Sequence, residues 1–300
     1  MGPECHAPPN DEMQRTKPAR AGVARSSPLI SALCGQRIGE QRMHRTSCSL
    51  SATAILCGLA LGCSPSIERS RGFVPSEVID LGATITEDLP QRFWGKAFMK
   101  EMGFTRQNSL EAINWKFPAE GGTVSGSNGY YTLFNHGGPH VDAPSHMGVG
   151  GGLESYPVVA FSGPVKVFDA SSYSIGRSVP AEMFQGRVEA GDIVLVFTRY
   201  VPPQTDEATP EVRALTHEAA ELLAGLPVRA FGTDAFSVET NSNLKMPWIH
   251  QSLLSRGIPV YEQLLNVDKL LGKTNMFFVG VPLNIKGGDG MVVRPVVFVY

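Results

Sequence analysis

The chain has no cysteine beyond Cys63. All five cysteines (Cys5, Cys34, Cys48, Cys57 and Cys63) lie near the start of its 300 residues. The body therefore has no disulfide, no thiolate metal site and no cysteine nucleophile. Any metal held there must rely on imidazole and carboxylate, a donor set that suits Zn, Mn or Fe. Charge is also sparse. Only 18% of residues are charged, the formal net charge is -2, and the body has no basic tract. Phosphate backbones demand a concentrated cationic surface, so no nucleic-acid partner is expected. The apolar stretch from about Leu50 to Leu61 is roughly a dozen residues long, short of the ~20 that span a bilayer as a helix.

That stretch reads instead as a secretory signal. Arg45 precedes it, and Leu59-Ala60-Leu61-Gly62-Cys63 ends it. The ending resembles a bacterial lipoprotein lipobox, with Cys63 as the lipidated residue and Ser64-Pro65-Ser66 opening a tether over 64–77. The expectation is an exported lipoprotein, periplasmic or at the cell surface. A plain cleaved signal, and hence secretion, is the alternative. A signal belongs at the start of translation, so residues 1–42 read as a misassigned extension before Met43, or as a disordered tail.

The body, residues 78–300, is rich in turns, the whole chain carrying 32 Gly and 22 Pro. Short strands are expected at Val78–Leu81, Tyr130–Phe134, Gly163–Asp169, Gly191–Phe197, Arg229–Asp234, Pro259–Tyr261, Phe277–Val281 and Pro295–Val299. The Gly191–Phe197 strand is apolar on both faces, as a central strand would be. Val212, Leu215, Ala219, Leu222 and Leu223 recur at helical spacing, which predicts a helix over Thr209–Leu226 capped by Thr209-Pro210. Leu264–Leu271 also reads as helical, and Gly121–Gly129 as a loop. Aromatics at Arg92–Gly95 and Trp115–Phe117 belong to a segment able to cover a pocket. Strands mixed with a few helices argue for a single α/β domain.

The informative segment is Asn135-His136-Gly137-Gly138-Pro139-His140-Val141-Asp142-Ala143-Pro144-Ser145-His146. Three of the chain's seven histidines and an aspartate fall within it. Its glycines and prolines exclude a regular helix, and with it a helical HExxH site. His140 and Asp142, two apart, project to one side of an extended segment. His136 returns toward them through the Gly-Gly-Pro bend. His217 reads as an exposed or capping residue. Asp234 reads first as a turn residue and second as an outer partner of a site.

The spacing of His136, His140, Asp142, Pro144 and His146 resembles the cyclase family of metal-dependent hydrolases, the kynurenine formamidase-like and isatin hydrolase-like proteins. Their motif runs HxxTHxDxPxH, and Pro139 departs from the usual Thr. His250 and Glu262 keep the family's twelve-residue interval. Gly163-Pro164-Val165, Gly191–Leu195, Gly232–Ser237 and Gly288-Asp289-Gly290 through Arg294-Pro295 are similar pieces, and Ala83–Phe98 diverges. The resemblance implies a cyclase-like, swivelling β/α/β mixed sheet and one or two Zn or Mn ions. His136, His140 and Asp142 would hold the first ion. Asp142 would bridge to a second on His250 and Glu262. His146 would be the proton shuttle. The substrate implied is a cyclic or formylated amide, or a lactone, and relatives are commonly homo-oligomers. The alternative is a lipoprotein that binds a metal or small molecule without turnover.

Overall fold

The computed structural model describes residues 74–208, 210–240 and 246–300. The expected signal, Cys63, the extension before Met43 and residues 64–73 of the expected tether lie outside them, while the tether's last two residues belong to the folded body, Ser76 N bonding Val299 O and Glu77 pairing with Val299 as strand. Among the described residues, no helix is long and apolar enough to cross a membrane.

In chain order the elements are β1 (Glu77–Asp80), α1 (Leu89–Trp94), α2 (Lys96–Glu101), β2 (Ser109–Ala119), β3 (Gly122–Thr132), β4 (His140–Asp142) and β5 (Ser162–Asp169). There follow β6 (Ile193–Phe197), α3 (His217–Gly225), β7 (Ala230–Thr233), α4 (Trp248–Leu254), β8 (Val260–Glu262), β9 (Met276–Val279), β10 (Gly290–Val292) and β11 (Val296–Val299). Nine strands form one mixed sheet in the order β1-β11-β9-β5-β6-β7-β8-β4-β10. The central run β5-β6-β7-β8 is parallel, and antiparallel strands flank it on both sides. This is a single mixed-sheet α/β fold.

The central strand β6 shows why the sheet sits where it does. Ile193 and Leu195 face one core with Val165, Tyr261 and Phe278. Val194 and Val196 face the other with Phe231, Leu223 of α3, and Ile249 and Leu253 of α4. All four β6 residues are essentially inaccessible to water. A strand covered on both faces has no polar alternation to display, so its continuous apolar run is the correct signature.

Three expectations need correction. The helix over Thr209–Leu226 begins only at His217, where the Thr216 hydroxyl accepts from Ala219 N. Before it, Leu215 forms a parallel bridge with Val179, and Val179 N bonds Ala214 O. The apolar residues at 212–215 are buried from extended backbone, so their spacing imitated a helix without forming one. The Gly121–Gly129 loop is instead most of β3, which pairs along its whole length with β2. Its small residues are ordered by larger partners across the ladder, such as Trp115 opposite Gly126. Leu264–Leu271 holds only a single 3-10 turn, Val267–Leu270, entered through Asn266 at φ 56°.

Candidate metal centre

The site forms where β4 lies between β8 and β10. Antiparallel register sets His140 opposite Glu262 and Asp142 opposite Gly290. Helix α4 brings His250, and the loop before β4 brings His136. All five of these side chains are buried, although transferring charged or polar groups into an interior without partners is costly.

Backbone geometry aims them. Gly138 adopts φ 103°, a conformation L side chains rarely take, and a Cβ there would lie 2.6 Å from Leu89 Cδ2. Gln263 ties down the same bend: its Oε1 accepts from Gly138 N at 2.8 Å and its Nε2 donates to His136 O at 3.1 Å. Trp94 Nε1 also donates to His136 O. Gly290 leaves room for the His136 ring, since a Cβ there would meet His136 Cε1 at 2.5 Å.

Asp142 is the centre of the cluster. Its Oδ1 lies 2.8 Å from His136 Nδ1 and 3.3 Å from His140 Nε2, and its Oδ2 lies 3.7 Å from His250 Nε2. Glu262 Oε2 is 3.5 Å from His140 Nε2, and its Oε1 is 3.2 Å from His250 Nε2. Neither Asp142 oxygen, both inaccessible to water, accepts an aligned hydrogen bond. A buried carboxylate surrounded by imidazole nitrogens yet orphaned in hydrogen-bond terms is what a cation-binding position looks like. The donors, nitrogen and carboxylate oxygen, suit Zn²⁺ or a neighbouring divalent ion.

Outer contacts support the donors. His140 Nδ1 donates to Gly138 O at 2.8 Å, which leaves Nε2 facing the carboxylates. His250 Nδ1 faces Glu239 Oε1 at 3.3 Å, and that oxygen also accepts from Ile249 N and His250 N. Glu262 Oε1 accepts from Val238 N.

The electrostatics agree. Burial disfavours charge on every member, but the partners outweigh it. Asp142 and Glu262 carry His140 up to about 10. Burial and then the neighbouring carboxylates act likewise on His136 and His250, with both values ending raised. Asp142 is held well below the usual carboxylate range despite its burial, chiefly by the charges of the neighbouring His140 and His146. Glu262 is lowered against its burial, chiefly by His250. In the metal-free chain protons balance these carboxylates, and a bound cation would compete for the same nitrogens.

The donors fall into two compact groups sharing Asp142: His136, Asp142 and His146, and His140, Asp142 and Glu262. The resemblance divides them otherwise, with His136 and His140 on one ion and His250 with Glu262 on the other. Asp142 is common to both divisions. His146 is the least buried of the histidines here, its ring 4.3 Å from that of His136. Asp234 lies outside both groups. Its carboxylate accepts from Thr198 N, Thr198 Oγ1 and Tyr200 N, so it ties a loop to β7. His217 is exposed at the start of α3.

Two carboxylates escaped the sequence reading. Asp289 places Oδ2 3.2 Å from His136 Nε2 and 3.6 Å from His146 Nδ1, while Asn135 Nδ2 holds its Oδ1 at 2.7 Å. Its pKa is depressed, first by the His136 hydrogen bond and then by His146. Glu239 is the other. The glycines around Asp289 were the available signal, because only glycine fits at 290.

A cavity of about 220 Å³ opens onto the donors. Its apolar wall is Trp94, Phe98, Phe104 and Phe236, with Trp94 set edge-on to Phe236 at 5.8 Å. Of the two aromatic segments expected to cover a pocket, Trp94 does so, while Phe117 is 60% exposed on β2.

A buried cluster of imidazoles and carboxylates below a small apolar cavity fits the class of metal-dependent hydrolases. The chain is a member of the cyclase family, since residues 79–240, more than half of it, match the family described as putative cyclase. Kynurenine formamidase of Salinibacter ruber is 31% identical over 169 residues, 56% of this chain and 78% of that protein. Kynurenine formamidase of Bacillus mycoides is 24% identical over 226 residues, 74% of this chain and 97% of that protein. Isatin hydrolase A from Labrenzia aggregata, solved with benzyl benzoate, aligns at TM-score 0.59 and 26% identity, covering 74% of this chain and 93% of that one.

Proposed function

We propose that the chain uses Zn²⁺ or Mn²⁺, one or two ions, to hydrolyse the C–N bond of a compact aromatic amide, either a lactam opened in its ring or a formyl-anilide. The observation that carries this reading is the aromatic wall set directly over the buried donors. The cavity's 220 Å³ is below the ~300–1,000 Å³ of sites for drug-sized ligands, which favours a substrate of one or two rings. The relatives named for formylkynurenine and isatin chemistry support the same bond type.

His136, His140, Asp142, His250 and Glu262 would hold the metal. When bound, a divalent cation lowers the pKa of water and polarises a carbonyl. Trp94, Phe98 and Phe236 orient the substrate ring and exclude water. His146, partly exposed beside the donors, takes a proton from the attacking water at one ring nitrogen and returns it to the leaving nitrogen. Asp289 faces His146 Nδ1 and favours the ring orientation that leaves Nε2 for this exchange. We further propose export, with a lipid anchor at Cys63; the lipobox-like ending supports it.

The test is a panel of formyl-anilides, isatin-like lactams and simple lactones offered to metal-loaded protein. His146→Ala should lower turnover by about 10²- to 10⁴-fold with metal content unchanged, and His136→Ala should lose both. If no member is turned over while one binds tightly, the non-catalytic binding lipoprotein replaces the enzyme.

A further inference from the structure

The main sheet splits where β9 leaves β5. Their pairing runs from Ser162 opposite Val279 to Pro164 opposite Phe277 and stops there, while β5 continues to Asp169. From Val165 onward that edge of β5 has no neighbouring strand among the described residues. The loop before β9 turns through Gly272 at φ 74° and Asn275 at φ 52°. Between the loop and the open edge lies a cavity of about 420 Å³, within the ~300–1,000 Å³ of small-molecule sites. In sheet order β6, β7 and β8 separate β5 from β4. At ~4.8 Å per strand the cavity is roughly 19 Å from the candidate metal donors, and it uses none of them.

The lining of this cavity is one-sided in charge. Lys166, Arg187 and Lys273 all border it, and no aspartate or glutamate does. The chain as a whole has slightly more acids than bases, 28 against 26, so this sign is a local feature. The three cations arrive from three directions. Lys166 lies on β5, Arg187 follows the 3-10 turn Ala181–Met183, and Lys273 belongs to the loop before β9.

Lys273 Nζ is 2.6 Å from Glu77 Oε2. Lys166 Nζ is 4.0 Å from Glu189 Oε1, on a side chain that is 79% exposed. Each ammonium keeps further N–H donors. Arg187 pairs with no carboxylate among the described residues. Its guanidinium lies 4.8 Å from the centre of the Phe168 ring, and its Nη1 donates to Met183 O at 3.2 Å. Those two contacts hold the planar fork in place with N–H groups to spare. Thr274 and Asn275 add neutral donors, and Val167, Leu270 and Met276 an apolar floor.

We propose that this cavity binds a phosphate group, carried either by a small phosphomonoester or by a phospholipid headgroup. The donor arrangement decides the chemistry. A carboxylate offers two oxygens in one plane, which the Arg187 fork satisfies alone. A phosphate directs its oxygens tetrahedrally, and such a group uses cations placed on three sides. The apolar floor takes the organic remainder of the ligand. A headgroup source accords with the expected anchor at Cys63, which would keep the chain beside a bilayer. A soluble source needs no anchor.

Titration calorimetry of the full chain in chelator tests this with phenyl phosphate and benzoate, alongside flotation with phosphatidylcholine vesicles that contain or lack phosphatidylglycerol. Phenyl phosphate should bind about tenfold or more tightly than benzoate, and Arg187→Gln and Lys166→Gln, each removing one charge-assisted hydrogen bond, should each weaken it about tenfold. Phenyl phosphate binding without vesicle binding assigns a soluble ligand. Vesicle binding that requires phosphatidylglycerol and is lost in both variants assigns a headgroup. The preference for phosphate over benzoate is read on the unaltered chain and stands if a variant misfolds. If neither phenyl phosphate nor the phosphatidylglycerol vesicles bind, the inference is overturned. Equal affinity for benzoate overturns it too, as does phosphate binding indifferent to both variants, which would put the anion elsewhere on the chain.

Discussion

Replacing Asp142 with asparagine keeps the shape and removes the charge shared by both donor groups. A cation at about 100 times its Kd stabilises the folded chain by ~2.7 kcal/mol. For a domain of this size that raises Tm by roughly 5–11 °C, at ~2–4 °C per kcal/mol. Even outer partners of metal ligands typically cost 10- to 100-fold in affinity. Asp142 touches three imidazoles, so a loss of at least about 100-fold is expected. At the same cation concentration the stabilisation then falls to about 0.4 kcal/mol, and the Tm rise to roughly 1–2 °C. Calorimetry of wild type and Asp142→Asn, each in chelator and in Zn²⁺ or Mn²⁺, gives the comparison directly. A variant that keeps the full wild-type rise would show that Asp142 is not a ligand, and the shared-carboxylate reading would fail.

Two more predictions follow from separate observations. His140 is raised to about 10 in the folded metal-free chain, against ~6.5 when unfolded, so its contribution is complete below pH ~6.5 and is lost as pH rises toward 10. Chelated protein should therefore lose Tm between pH 6.5 and 9 while metal-loaded protein does not, and a flat chelated profile would refute the buried pairing. Expressed in a bacterium, the chain should incorporate labelled fatty acid and Cys63→Ser should abolish it; a mature N-terminus far from Cys63 would rule the anchor out.

The donors legible in the sequence were those whose chemistry is local. His136, His140, Asp142 and His146 fall in one short run, and Gly137, Gly138 and Pro139 announce its bend. Asp289 reaches His136 and His146 only because β10 pairs with β4, an approach across well over a hundred residues that no local pattern encodes. Glu239 matters through a helix start that brings it His250 and Ile249, and that seven-residue helix is too short for periodicity to reveal. Pro139 departs from the motif, and its backbone carbonyl, which any residue would supply, accepts from Val293 N.

The aim of the donors, finally, is a consequence of the core. Successive residues of a strand face opposite sides. Val141 is fully buried and packs in the cluster that contains Tyr261, its direct partner across the ladder. With Val141 fixed to that side, His140 and Asp142 must face the other, together with Glu262, where α4 supplies His250. A one-residue slip of β4 would drive two polar side chains into the Tyr261 core and expose Val141 to the site. The apolar residue between His140 and Asp142 is what excludes that register, so the His-Val-Asp triplet aims the candidate donors through packing.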